Sequence, residues 1–119
     1  APGPIASVHA RIGELEGGQS CNLCHGGWTR SMTSACLECH APIEAQIEER
    51  VGLHGLLVGA AAERCATCHA EHHGDLFPLV SPASFQLAGV PDPKAFDHGP
   101  IGWVMQGKHL EQECSACHE

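Results

Sequence analysis

Cysteine and histidine dominate the chemistry of this chain. All eight cysteines fall in four Cys-x-x-Cys-His pentapeptides: Cys21–His25, Cys36–His40, Cys65–His69 and Cys114–His118. In a Cys-x-x-Cys-His motif the two thiols add to the vinyl groups of a haem, and the histidine that follows is placed as the proximal iron ligand. Cys21, Cys24, Cys36, Cys39, Cys65, Cys68, Cys114 and Cys117 are therefore expected to attach four haems c. His25, His40, His69 and His118 are expected to ligate four irons. Ten histidines in 119 residues make four such placements by chance an event of about 1 in 20,000.

Other chemistries use cysteine at similar spacing. Cys21-x2-Cys24-x11-Cys36-x2-Cys39 is near that of a zinc ribbon. Zinc leaves His25 and His40 without a role and does not account for the third and fourth motifs. A disulfide scaffold would use eight cysteines in pairs, but it too leaves the histidines unexplained.

Each iron also needs a ligand on its other face. Six histidines lie outside the motifs: His9, His54, His72, His73, His98 and His109. Two adjacent side chains leave a helix about 100° apart, so one haem would use only one of His72 and His73; His72 is the preferred ligand. His9, His54, His98 and His109 complete the candidate set, and His9 and His54 are the first choices for the irons of His25 and His40. Met32 and Met105 are the thioether alternatives.

The elements that must position these groups are short. Pro4 and the spacing of Ile5, Val8, Ile12 and Leu15 predict a helix over 4–16 that carries His9, with Gly17-Gly18 as its stop. Only ten residues separate His25 from Cys36, which keeps the first two haems in or near contact, with Trp28 expected on a porphyrin edge. The strongest helix signal covers 42–57. Pro42 opens it, Ile43, Ile47 and Val51 form one stripe, and His54 extends that stripe toward the interior. Gly52 and Gly55 are expected to let a macrocycle approach the backbone. Residues 75–95 contain four prolines and cannot form one long helix. They read as an extended wrap covering haem with Leu76, Phe77, Leu79, Val80, Phe85 and Leu87.

A length of 119 residues suggests a single domain. Three Phe, two Trp and no Tyr are too few for an ordinary apolar core alongside four cofactors. The expected fold is mostly irregular with a few short α-helices and little or no β-sheet, and its core is the stacked haems. The net charge of −8 argues against nucleic acid and anionic membrane surfaces and suits a cationic partner. No stretch has the length of a transmembrane span. The start Ala1-Pro2-Gly3-Pro4 resembles the end left by signal cleavage. Attachment of haem c implies an extracytoplasmic setting: periplasmic, extracellular or at the cell surface.

With these motifs in view, the chain resembles a multihaem cytochrome c of the broad cytochrome c3/c7-like group. The run Phe96-Asp97-His98 through Gly107-Lys108-His109 to Cys114–His118 is similar to the group's Phe-x-His … His-x4-Cys-x-x-Cys-His pattern. Cys65–His69 followed by Glu71-His72-x-Gly74 is similar to another. His98 and His109 stand eleven apart, wider than in cytochrome c3. The resemblance implies a non-enzymatic electron carrier with four low-potential bis-histidine haems that serves redox proteins or extracellular acceptors. A second expectation is a polymeric extracellular filament in which identical subunits exchange distal ligands. A third, from a different class, is a multihaem reductase or haem sensor with an open iron. Six Lys and Arg make a poor oxyanion cluster for that third reading.

Overall fold

The computed structural model describes residues 2–15 and 20–118. Among these, the chain forms short helices joined by turns, with no β-strand. The α-helices are α1 (Ser7–Ala10), α2 (Cys21–His25), α3 (Met32–Cys39), α4 (Ala41–Glu49), α5 (Gly52–Leu56), α6 (Ala60–Glu63), α7 (Cys65–Cys68) and α8 (Pro82–Leu87). Four 3-10 turns follow, at Pro93–Ala95, Gly99–Ile101, Gly107–Glu111 and Cys114–Ala116. Among the described residues no helix is long and apolar enough to cross a membrane.

The polypeptide by itself encloses almost no core. Among the described residues the buried apolar ones are Ala6 and Ala35, and no side chain is fully buried. The accessible surface is 9060 Å², against about 6,200 Å² for a compact protein of 12.5 kDa. The radius of gyration is 16.2 Å, against about 13.5 Å for a compact chain of this length. The surplus surface is about 2,900 Å², or about 700 Å² for each Cys-x-x-Cys-His motif. Trp28, Leu76, Val58, Trp103 and Val104 all stand open. Of the residues expected to cover haem, Leu76, Phe77, Val80 and Leu87 are exposed on the protein, while Leu79 and Phe85 are half-buried.

Three elements differ from the sequence reading, each for a local reason. The helix expected over 4–16 is reduced to α1, followed by turns through Leu15. Its entrance is held open by the 71–75 segment. Ala6 N donates to Glu71 Oε2 at 2.7 Å, Ser7 N to the Asp75 carbonyl at 3.2 Å, and Gly74 N to the Pro4 carbonyl at 3.1 Å. Backbone groups tied across the molecule cannot also start a helix at Pro4. The stop at Gly17-Gly18 lies outside the described residues.

The helix expected over 42–57 is two helices. Arg50 closes α4 in the left-handed conformation (φ 58°, ψ 41°), and α5 turns back against the end of α4. Gly55 permits that fold-back: a Cβ there would lie 2.6 Å from the Gln46 carbonyl oxygen and from the Arg50 carbonyl carbon. The close approach at Gly55 is therefore to the backbone at the end of α4.

The third difference is α8, inside the segment read as an extended wrap. Ser81 caps it by accepting from Ser84 N, and the Ser84 hydroxyl meets the Ser81 backbone N–H in return. Pro82 occupies the first turn, where a missing N–H costs nothing.

Candidate functional site: four paired histidines

Each motif sits on its own short helical turn. Cys21–His25 is α2, Cys36 and Cys39 lie in α3 with His40 as its C-cap, Cys65 and Cys68 lie in α7 with His69 as its C-cap, and Cys114 opens a 3-10 turn before His118. A turn of helix brings the two thiols to one side and sends the histidine onward from the same surface. The eight cysteines form no disulfides.

Every motif histidine faces a histidine from outside the motifs. His25 and His72 lie with ring centroids 6.0 Å apart, His40 and His9 6.0 Å, His69 and His54 6.2 Å, and His118 and His98 6.1 Å. Direct stacking would bring such rings closer. Two metal–imidazole bonds of about 2 Å, plus about 1.1 Å from each nitrogen to its ring centre, place centroids about 6.2 Å apart. The four spacings fit one metal ion between each pair.

The ring nitrogens agree with that fit. In each pair one histidine has its Nδ1 occupied, which leaves Nε2 for the partner side. His72 Nδ1 donates to the Gly3 carbonyl at 2.8 Å, His69 Nδ1 to the Leu79 carbonyl at 2.8 Å, and His98 Nδ1 to the Phe96 carbonyl at 3.2 Å. His9 Nδ1 donates to the Glu71 carboxylate.

Several local devices hold these rings. His72 adopts φ 67°, and Gly3 must be glycine because a Cβ would lie 2.4 Å from the His72 carbonyl oxygen. α8 clips onto the third motif through Ser84 Oγ, which donates to the Cys68 carbonyl at 2.7 Å. Phe96 stands edge-on to His98 at 5.0 Å. Asp97 accepts from Gly99 N at 2.8 Å and turns the chain behind His98.

The remaining candidates lie elsewhere. His73 packs on Phe77 at 4.7 Å. His109 is exposed, and its Nδ1 donates to the Gln106 carbonyl at 3.3 Å. Neither is among the histidine pairs of the described residues. His109 instead lines a hollow of about 260 Å³ with Lys108, Gln112, Ala116 and Cys117. A second hollow of about 320 Å³ lies beside Cys65, between Met32, Thr33, Glu63 and Arg64. Met32 is half open to solvent in α3. The order of partners also differs from the first expectation. His9 does face His40, but His54 faces His69, and His25 is met by His72.

Burial and neighbouring groups shift three of these side chains. Burial first, then the adjacent Cys65 thiol, push the Cys36 thiol up to about 11. Burial also raises Cys24, with Glu71 and Cys39 adding to it. Burial and then His69 hold His54 below the usual histidine value. α2 packs on α3, so the first motif abuts the second, and Cys36 beside Cys65 brings the second to the third. α5, which carries His54, packs on the turn Gly99–Ile101 beside His98, so the third pair neighbours the fourth.

Among the described residues no three His, Cys, Asp or Glu side chains converge on one point. A haem iron takes four ligands from its porphyrin and asks only two of the protein. Comparison with protein-family models, curated proteins and solved structures returned no match.

Glu71 entered the sequence reading only as part of the run Glu71-His72-x-Gly74, with no role of its own. It stands next to His72 in the chain but serves His9, and only the crossing of the 2–9 and 71–75 segments brings the two together.

Proposed function

We infer that this protein is an electron-transfer protein, a tetrahaem cytochrome c similar to the cytochrome c3/c7-like group, working outside the cytoplasm. The observation that carries the reading is the set of four histidine pairs at 6.0–6.2 Å, each pair containing the histidine of one Cys-x-x-Cys-His motif. Haem, when bound, supplies a one-electron couple between ferric and ferrous iron. The chain does the rest. Eight thiols would fix the groups covalently, and His25/His72, His40/His9, His69/His54 and His118/His98 would hold the four irons. An iron filled on both sides has no place for substrate, which favours relay over catalysis. Two nitrogen ligands also hold the potential lower than a His/Met pair would.

The packing of α2 on α3, the proximity of Cys36 to Cys65, and the packing of α5 on Gly99–Ile101 support a relay in which each motif neighbours the next. The extent of 50 × 29 × 23 Å suits a short wire. The surplus surface is close to what four macrocycles would cover, which supports stacked haems as the core of the fold.

Each motif histidine has a partner in its own chain, which favours a discrete carrier over a filament built by exchange of distal ligands. The partners are then redox proteins or extracellular acceptors that meet an acidic surface. A redox titration tests the reading. Four one-electron steps, most of them below zero against the standard hydrogen electrode, are expected. Fewer than four haems, or potentials mostly well above zero, would overturn it.

A further inference from the structure

One of the four pairs differs from the others in two ways. Three of the pairs are anchored at Nδ1 by main-chain carbonyls: those of Gly3, Leu79 and Phe96. The pair His9/His40 is anchored by a carboxylate, since His9 Nδ1 donates to Glu71 Oε1. Glu71 is itself held, accepting from Ala6 N through its other oxygen at 2.7 Å, and its side chain is only 26% exposed. The second difference is the ring planes. His9 and His40 cross at 72°, whereas the other three pairs lie within 24° to 29° of parallel.

We propose that Glu71, acting through His9, makes the haem held between His9 and His40 the lowest in potential of the four and the last to accept an electron. The proposal rests on the bis-histidine reading above. A carboxylate that accepts from the Nδ1–H of a ligand draws that proton toward itself and gives the imidazole part of the character of an anion. The ligand becomes the stronger donor, and the ferric state gains over the ferrous one. The negative charge adds a Coulomb term of the same sign, weakly screened because the pair is partly buried. Neutral carbonyls at the other three pairs give neither effect in equal measure. Glu38, within the same motif, is paired with Arg30, so its charge is largely compensated. Glu71 is a positioning residue: it touches the ligand and not the iron.

The crossed planes label this haem. Low-spin ferric haems with crossed axial imidazoles give a single large-gmax EPR feature, and near-parallel imidazoles give a rhombic spectrum. Potentiometric EPR on the whole holoprotein, reduced stepwise with dithionite, therefore follows this haem among the four. The large-gmax feature is expected to disappear last. Its disappearance before any rhombic signal would overturn the proposal.

Two variants separate the ligand effect from plain charge. Glu71→Gln keeps the shape and removes the charge, and it should favour reduction of the large-gmax haem at least tenfold, about 59 mV for one electron. Glu38→Gln should shift the same haem less and leave its EPR feature unchanged. Equal shifts in the two variants, or none in Glu71→Gln, would overturn the role of Glu71. Should Glu71→Gln fail to assemble, Glu71→Asp takes its place and the order of reduction in the unaltered protein still decides. Four low-spin haems reduced in the wrong order refute only this proposal. Loss of low-spin signals altogether would refute the bis-histidine reading beneath it.

Discussion

His72 and His73 are adjacent, and the account assigns them opposite roles. His72 faces His25 at 6.0 Å, while His73 packs on Phe77. His72→Ala therefore removes one axial ligand from one haem, and His73→Ala removes none. The size of the effect follows from the count of pairs. The unaltered protein, with both sides of every iron filled, should bind no carbon monoxide when reduced. His72→Ala should bind one per chain, shifting about a quarter of the Soret intensity, as expected for one of four haems. His73→Ala should behave as the unaltered protein does. The local fold could loosen with His72, because its Nδ1 ties the chain to the Gly3 carbonyl. Free imidazole separates the two causes: added to oxidised His72→Ala without carbon monoxide, it should refill the vacant position and restore the low-spin spectrum. Carbon monoxide binding to His73→Ala and not to His72→Ala would refute the pairing, as would binding to the unaltered protein.

Further predictions follow from the same geometry. His98→Ala should open a single haem to carbon monoxide, whereas His109→Ala should open none, because His98 faces His118 and His109 bonds the Gln106 carbonyl. Gly55→Ala forces a Cβ to within 2.6 Å of backbone and should destabilise the holoprotein by about 1–3 kcal/mol in guanidinium titration. Ser84→Ala loses the bond to the Cys68 carbonyl and half of the α8 cap, and should cost about 1–2 kcal/mol by the same measurement. A chain expressed without haem attachment should show little helix by circular dichroism, since among the described residues the buried apolar ones are Ala6 and Ala35.

Much of the proposed site is legible in sequence because Cys-x-x-Cys-His is a local motif. Two cysteines and a histidine within five residues need only one helical turn to act together, and all four sets form one. The distal set was legible as a list, since six histidines remained after the motifs were counted. The partner of each was not, because pairing depends on which segments cross. His72 reaches His25 only because Gly3 and Pro4 run beside residues 72–74, and no spacing encodes that. Periodicity misled where tertiary bonds took over the backbone. The stripe of Ile5, Val8, Ile12 and Leu15 has helical spacing, yet the Glu71 and Asp75 oxygens hold the N–H groups of Ala6 and Ser7. In the stripe through Ile43, Ile47, Val51 and His54, the left-handed Arg50 breaks the helix and turns His54 toward the third motif. The prolines of 75–95 concealed α8, although Ser81-Pro82-x-Ser84 is itself a helix start.

The central claim is that one chain completes both axial positions of four haems by itself. Resonance Raman spectroscopy of the holoprotein, at a dilution where sedimentation shows single chains, tests it most directly through the spin- and coordination-state marker bands. The account predicts four haems, all six-coordinate and low-spin, in both the oxidised and the dithionite-reduced protein. A five-coordinate or high-spin population in the isolated chain would contradict it.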